Sequence, residues 1–123
     1  MRNSKTKPTS RSTRAIGTKA ERRAELHYRL RAYRILARNA RAGGNEIDLI
    51  VRRGNRLVFC EVKAKRGKGF GDPLEMVTPE KQRRIRRAAE LWLAARPSLH
   101  ALEVSFDVVA VRPGGLERVR NAF

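Results

Sequence analysis

Residues 46–63 read Glu46-Ile47-Asp48-Leu49-Ile50-Val51-Arg52-Arg53-Gly54-Asn55-Arg56-Leu57-Val58-Phe59-Cys60-Glu61-Val62-Lys63, and this stretch decides the fold. Two β-rich runs, Glu46 to Val51 and Arg56 to Lys63, are joined through Arg53-Gly54-Asn55, a composition suited to a tight hairpin turn. With Gly54 and Asn55 at the turn centre, the register sets Asp48 opposite Glu61 and Glu46 opposite Lys63, with Cβ atoms about 5 Å apart. Strand side chains alternate between faces, so Glu46 and Asp48 should share one face of the first strand, and Glu61 and Lys63 one face of the second. Like charges directly opposed on a sheet repel. The Asp48 and Glu61 pair therefore calls for a positive charge between them or for one raised pKa.

Working toward the N-terminus, Gly43-Gly44 breaks the chain and Tyr33 to Ala37 reads as a short strand. Ahead of it Ala20, Ala24 and Tyr28 recur every fourth residue, widened by Leu26 and Leu30, as on an amphipathic helix starting near Ala20. Glu21 and Glu25 lie one turn apart on that helix. Residues 1–18 carry Arg2, Lys5, Lys7, Arg11 and Arg14 among Ser, Thr and Asn with no acid, and are expected to be a disordered basic arm before a single domain at 19–123.

Working toward the C-terminus, Lys65, Arg66 and Lys68 alternate with Gly67, Gly69 and Gly71 around one aromatic, Phe70, in a loop. Thr78-Pro79-Glu80 then combines a capping hydroxyl, a proline at the first helical position and a carboxylate at the positive end of the dipole. The helix it starts runs to about Ala95, burying Ile85, Ala88, Ala89 and Trp92 and crowding Lys81, Arg83, Arg84, Arg86 and Arg87 into its first turns. Leu102, Val104, Phe106, Val108 and Ala110 alternate as a strand until Pro113-Gly114-Gly115 turns the chain. A helix between two strands implies a crossover and a parallel pairing, so the fold class is α/β.

Twenty-nine Lys and Arg against twelve Asp and Glu give a net charge of +17, a balance that attracts phosphate backbones and makes nucleic acid the expected partner. Cys60 is the only cysteine and there are two histidines, which excludes an internal disulfide and argues against a closed zinc site. No apolar run approaches the length of a membrane span, and the basic N-terminus is not followed by an apolar segment, so the expectation is a cytoplasmic protein with no membrane partner.

Magnesium takes oxygen ligands, keeps several waters, and is commonly bound through one or two carboxylates plus a substrate phosphate, a role that suits Asp48 and Glu61. Lys63 is placed to orient an attacking water or to balance charge on phosphorus. An acid ending one strand followed by Glu61-Val62-Lys63 on the next resembles the PD-(D/E)XK nuclease superfamily. Ala20-Glu21, Tyr33 to Asn39, Asn45 to Ile50, Val58 to Lys63 and Lys81-Gln82-Arg83-Arg84 also follow the order of the YraN family, which is similar to Holliday-junction resolvases.

The resemblance covers about residues 20–111 and implies a restriction-endonuclease-like αβββαβ core, a mixed central sheet flanked by helices. It implies Asp48 and Glu61 as ligands of magnesium or manganese, Lys63 as the catalytic lysine, Glu21 as an acid from the first helix, and Gln82 facing the same cleft. It also admits a homodimer, since two strands must be cut. Three positions depart from the family pattern: Ala20, Ala32 and Asn45 stand where glycine is usual.

The residues alone leave alternatives open. Asp48, Glu61 and Lys63 could form a solvated salt-bridge cluster, Glu25 competes with Glu21, Glu46 could pair with Lys63, and Gln82 could be plain helix surface. Lys65, Arg66, Lys68, Lys81, Arg83, Arg84 and Arg87 are the candidate phosphate contacts. The expectation is a metal-dependent endonuclease acting on DNA, branched or otherwise structured. The alternative is a non-catalytic nucleic-acid-binding protein that keeps the fold.

Overall fold

The computed structural model describes residues 8–65, 75 and 77–123, with side chains from residue 18 onward. Its elements run α1 (Pro8–Arg29), β1 (Arg34–Ala42), β2 (Asn45–Arg53), β3 (Arg56–Ala64), α2 (Pro79–Ala94), β4 (Glu103–Arg112) and β5 (Gly115–Val119), with a short 3-10 turn at Pro97–Leu99. The strands form one mixed sheet in chain order. β1, β2 and β3 pair antiparallel, the α2 crossover brings β4 parallel to β3, and β5 folds back antiparallel on β4. The α/β class and the three-strand, crossover, fourth-strand order agree with the sequence reading.

Two apolar layers sandwich the sheet. On one face Ala20, Ala24 and Tyr28 of α1 pack on Leu49, Val51, Val58, Cys60, Val109 and Val111. On the other, Ile85, Ala88, Ala89 and Trp92 of α2 pack on Ile50, Leu57, Phe59 and Phe106. The β3 run Leu57 to Cys60 is fully buried, as expected for a central strand with helices on both faces.

The β2–β3 register is the expected one: Arg53 faces Arg56, Val51 faces Val58 and Leu49 faces Cys60, around Gly54 in left-handed backbone (φ +59°). Likewise α2 starts as read, with Thr78 Oγ1 accepting from the Lys81 N–H at 3.2 Å and Pro79 in the first turn. Other boundaries differ. α1 begins at Pro8, well ahead of Ala20, and residues 1–7 lie outside the described residues. β1 extends to Ala42 and closes on β2 through Gly43 and Gly44, both left-handed (φ +60° and +81°), a hairpin where a mere break was expected. β5 was not foreseen. Among the described residues no helix is long and apolar enough to cross a membrane.

α1 ends in a Schellman arrangement: the Tyr33 N–H donates to the Tyr28 carbonyl, the Ala32 N–H donates to that of Arg29, and Ala32 takes the left-handed position (φ +68°). An L-residue there carries a backbone strain that glycine would not.

A buried polar network closes this same end of the face. Asp107, 1% exposed, accepts from the Tyr28 hydroxyl at 2.7 Å, from Arg118 Nε at 2.8 Å and from the Asn121 N–H at 3.2 Å. Arg118 also donates to the Tyr33 hydroxyl at 3.2 Å and lies over the Tyr28 ring, tying β5 to β4 and α1.

Candidate metal centre and nucleic-acid interface

The sheet forks at Asp48. On its far side β2 stays paired with β1, down to Ala42 opposite Asn45, while β3 stays paired with β4, up to Ala64 opposite Val111. The β2–β3 ladder itself ends at Leu49 and Cys60, and the next donor on β3, the Val62 N–H, is taken by the Asp48 side chain at 2.8 Å. Strand alternation is also broken here. Ile47 packs in the α2-side layer and Leu49 in the α1-side layer, although residues two apart normally share a face. Across from Asp48 on β1, Asn39 stands in left-handed backbone (φ +48°). The irregularity turns Asp48 toward α1, where it shares a cleft of about 520 Å³ with Glu21, Glu25, Arg38 and Asn39.

Glu61 sits on β3 at the mouth of the fork. It is 5% exposed, and its Oε2 lies 3.7 Å from Lys63 Nζ and 3.6 Å from Lys81 Nζ. Lys63 comes from the same strand and Lys81 from the first turn of α2, positioned by the Thr78 cap. Glu61 is therefore buried and ion-paired with two half-exposed lysines, while Asp48 is within electrostatic reach of Glu61 without a contact to it or to Lys63. Burial, then the charge of Glu61, then those of Glu21 and Glu46, outweigh the Val62 hydrogen bond and push the Asp48 carboxyl up to about 7.

The two candidate acids of α1 separate clearly. Glu25 is held by Arg38 at 2.7 Å and Arg29 at 2.9 Å, which pull its carboxyl down to about 2. Among the described residues Glu21 has a 3.4 Å contact from Asn39, and its pKa is raised by burial and by Glu46 and Glu61. Glu21 thus belongs electrostatically to the fork and Glu25 to an ion-pair network. Glu46 is exposed opposite Arg41 at the β1–β2 end, within electrostatic reach of Asp48 and Glu21. The ion pair of Lys63 is with Glu61 rather than with Glu46.

Among the described residues no three His, Cys, Asp or Glu side chains gather closely enough to wrap a cation by themselves. The donor set still suits magnesium, which needs only one or two protein carboxylates. Asp48 and Glu61 each have one oxygen tied to the protein and a second that a cation can take. Burial and like charge at Asp48 are repulsion that a divalent cation would relieve.

The model of the uncharacterised protein family UPF0102 matches residues 20–111. The chain belongs to the UPF0102 family. Similar relatives include UPF0102 proteins of Acidothermus cellulolyticus, 40% identical over 94% of this chain and 98% of that protein, and of Symbiobacterium thermophilum, 45% identical over 90% and 98%. A third, from Geobacter sulfurreducens, is 39% identical over 93% and 92%.

The remaining candidate residues of this UPF0102 chain are dispersed. Lys81, read as a phosphate contact, is first a partner of Glu61. Gln82 donates to the Val77 carbonyl at 3.1 Å, which secures the approach to α2. Arg84 and Arg87 pair with Glu80 and Glu90 on the outer face of α2, and Arg83 is exposed. Lys65 follows the end of β3, its N–H donating to the Val111 carbonyl at 2.7 Å. Arg66, Lys68 and Phe70 lie outside the described residues. Sequence reasoning missed the role of Asn39, since nothing in a lone Asn within a strand-like run announces left-handed backbone. It missed Asp107 as well, although a single acid inside the apolar run Phe106 to Val111 was a usable signal.

Proposed function

We propose that this UPF0102 protein is a metal-dependent endonuclease that hydrolyses phosphodiester bonds in DNA, branched or otherwise structured. The observation that supports the reading is the forked sheet, where Asp48 feels the charge of Glu61, Glu21 and Glu46 while Lys63 and Lys81 pair with Glu61, in a chain of net charge +17. A bound magnesium or manganese ion would polarise the phosphoryl oxygen and make water a better nucleophile. Asp48 and Glu61 would hold the ion on rigid strands, Asp48 being fixed by the Val62 N–H. Lys63 would donate a hydrogen bond to the attacking water or to a phosphoryl oxygen as negative charge builds, while Lys81 keeps Glu61 oriented. Glu21 would close the cleft from the helix side. The water oxygen would bond to phosphorus, giving up a proton to solvent, as the bond to the leaving oxygen breaks and that oxygen takes a proton from solvent, while the exposed arginines of α2 would hold neighbouring phosphates.

One observation favours a second reading. Glu61 already has two ammonium groups within 4 Å, so a non-catalytic nucleic-acid-binding protein could keep this cluster without any ion. The two readings divide on cleavage of labelled branched, duplex and single-stranded DNA by purified protein with magnesium or manganese. Metal-dependent cutting that is lost in Asp48→Ala and Glu61→Ala while binding persists supports the endonuclease. Binding without cutting on every substrate, unchanged in both variants, refutes it in favour of the binding protein.

A further inference from the structure

α1 has two chemically different flanks. At 100° per residue, Ala20, Ala24 and Tyr28 form the stripe against the sheet, Glu21 and Glu25 project on one side of it, and Lys19 and Arg23 on the other. The acidic flank overlooks the fork. The basic flank overhangs a second cleft of about 540 Å³, where α1 passes the carboxyl ends of the parallel strands β3 and β4. Lys19, Arg23, Lys65 and Arg112 line it around a floor that includes Ala64 and Val111, and among the described residues its lining holds no acid. Arg23 Nη1 donates to the Arg112 carbonyl at 2.7 Å, fixing one guanidinium at the rim, and Arg112 pairs with Glu117 of β5 at 3.9 Å. The volume is that of a small-molecule pocket, and cations around an apolar floor fit a phosphate with its sugar.

Position along β3 gives the cleft a use. Lys65 follows Glu61 by four residues on one strand, about 13 Å at 3.3 Å per residue. Phosphates of one strand of B-DNA recur every 3.4 Å along the axis, so that distance spans about four of them. We propose that the cleft between α1 and the β3–β4 ends, lined by Lys19, Arg23, Lys65 and Arg112, is a second phosphate-binding site that anchors the nucleic-acid strand a few nucleotides from the forked carboxylates. This rests on the proposed nucleic-acid reading but not on catalysis.

The test is fluorescence anisotropy of the full chain with labelled single-stranded DNA, in EDTA so that no cutting intervenes, between 50 and 200 mM salt. Lys19→Gln/Lys65→Gln is compared with Arg34→Gln/Arg120→Gln, which removes the same charge elsewhere; Lys19→Ala/Lys65→Ala is a second version should the first lower the melting temperature. Loss of two phosphate contacts should weaken binding about tenfold beyond the control and reduce the salt slope by about 1.4, at 0.7 per contact. Equal loss on 5′-hydroxyl and 5′-phosphorylated strands assigns an internal diester to the cleft, and loss confined to the phosphorylated strand assigns its end. A loss and slope no greater than the control's, or no binding by the wild type, overturns the site. A cleft-specific loss in a protein that cuts nothing leaves the site standing and removes only the endonuclease.

Discussion

Replacing Asp48 with Asn tests the electrostatics of the fork directly. The amide keeps an oxygen for the Val62 N–H and removes the charge that burial, Glu61, Glu21 and Glu46 all oppose. In the folded chain the carboxyl is pushed up to about 7 from an ordinary 3.8. The folded state therefore holds this proton more tightly than the unfolded state, and stability must fall as pH rises between those two values. From pH 5 to pH 8 the wild type should lose about 2–3 kcal/mol through this group, at 1.36 kcal/mol per pK unit. For a domain of this size that is roughly 10 °C in melting temperature.

The assay is thermal unfolding of metal-free wild type and Asp48→Asn at pH 5 and pH 8, read as the difference between the two proteins so that other titrations cancel. Asp48→Asn should gain on the wild type by about that margin as the pH rises. Magnesium at 100 times its Kd should restore about 2.7 kcal/mol to the wild type at pH 8, less at pH 5 where Asp48 is protonated, and nothing to the variant. A difference that stays flat from pH 5 to pH 8, or a variant less stable than wild type at pH 8, would refute the argument that the carboxylates repel one another without a cation.

Ala32→Gly should raise stability by about 0.5–1 kcal/mol in denaturant unfolding, since left-handed backbone costs an L-residue about 1–2 kcal/mol and glycine returns part of that as unfolded-state entropy. Asp107→Ala should destabilise by about 3–5 kcal/mol, because it leaves Arg118 buried without its carboxylate; urea melts of the single variant check this. Glu25→Gln should leave cleavage intact and flatten the acid side of the stability curve. Its carboxylate, held near 2 by Arg38 and Arg29, stabilises the fold above its ordinary 4.5 and loses that effect as pH falls toward 2. Lys63→Ala should lower the cleavage rate at least 100-fold with DNA affinity changed less than threefold, measured by single-turnover cutting alongside anisotropy.

What could be read in the sequence was whatever short-range chemistry settles. Gly54-Asn55 fixed a two-residue turn and through it the pairing of Leu49 with Cys60; Thr78-Pro79-Glu80 fixed the start of α2 and thereby the position of Lys81. The alternation rule then misled at one point. Carried through Asp48 it gives β2 a single regular set of faces, whereas the Asn39 backbone on the neighbouring strand breaks the alternation between Ile47 and Leu49. Asp107 stayed hidden for a related reason: its partners Tyr28 and Arg118 are brought to it by the sheet and not by spacing along the chain.

These failures are of two physical kinds. The Asp107 network is satisfied, with its charge paired and its oxygens bonded, so it explains itself as structure. The Asp48 fork is not satisfied: it ends a ladder early, turns a strand and brings like charges together under burial. Under the proposed reading, a divalent cation with a phosphate would relieve this conflict, adding to what Lys63 and Lys81 already offset at Glu61.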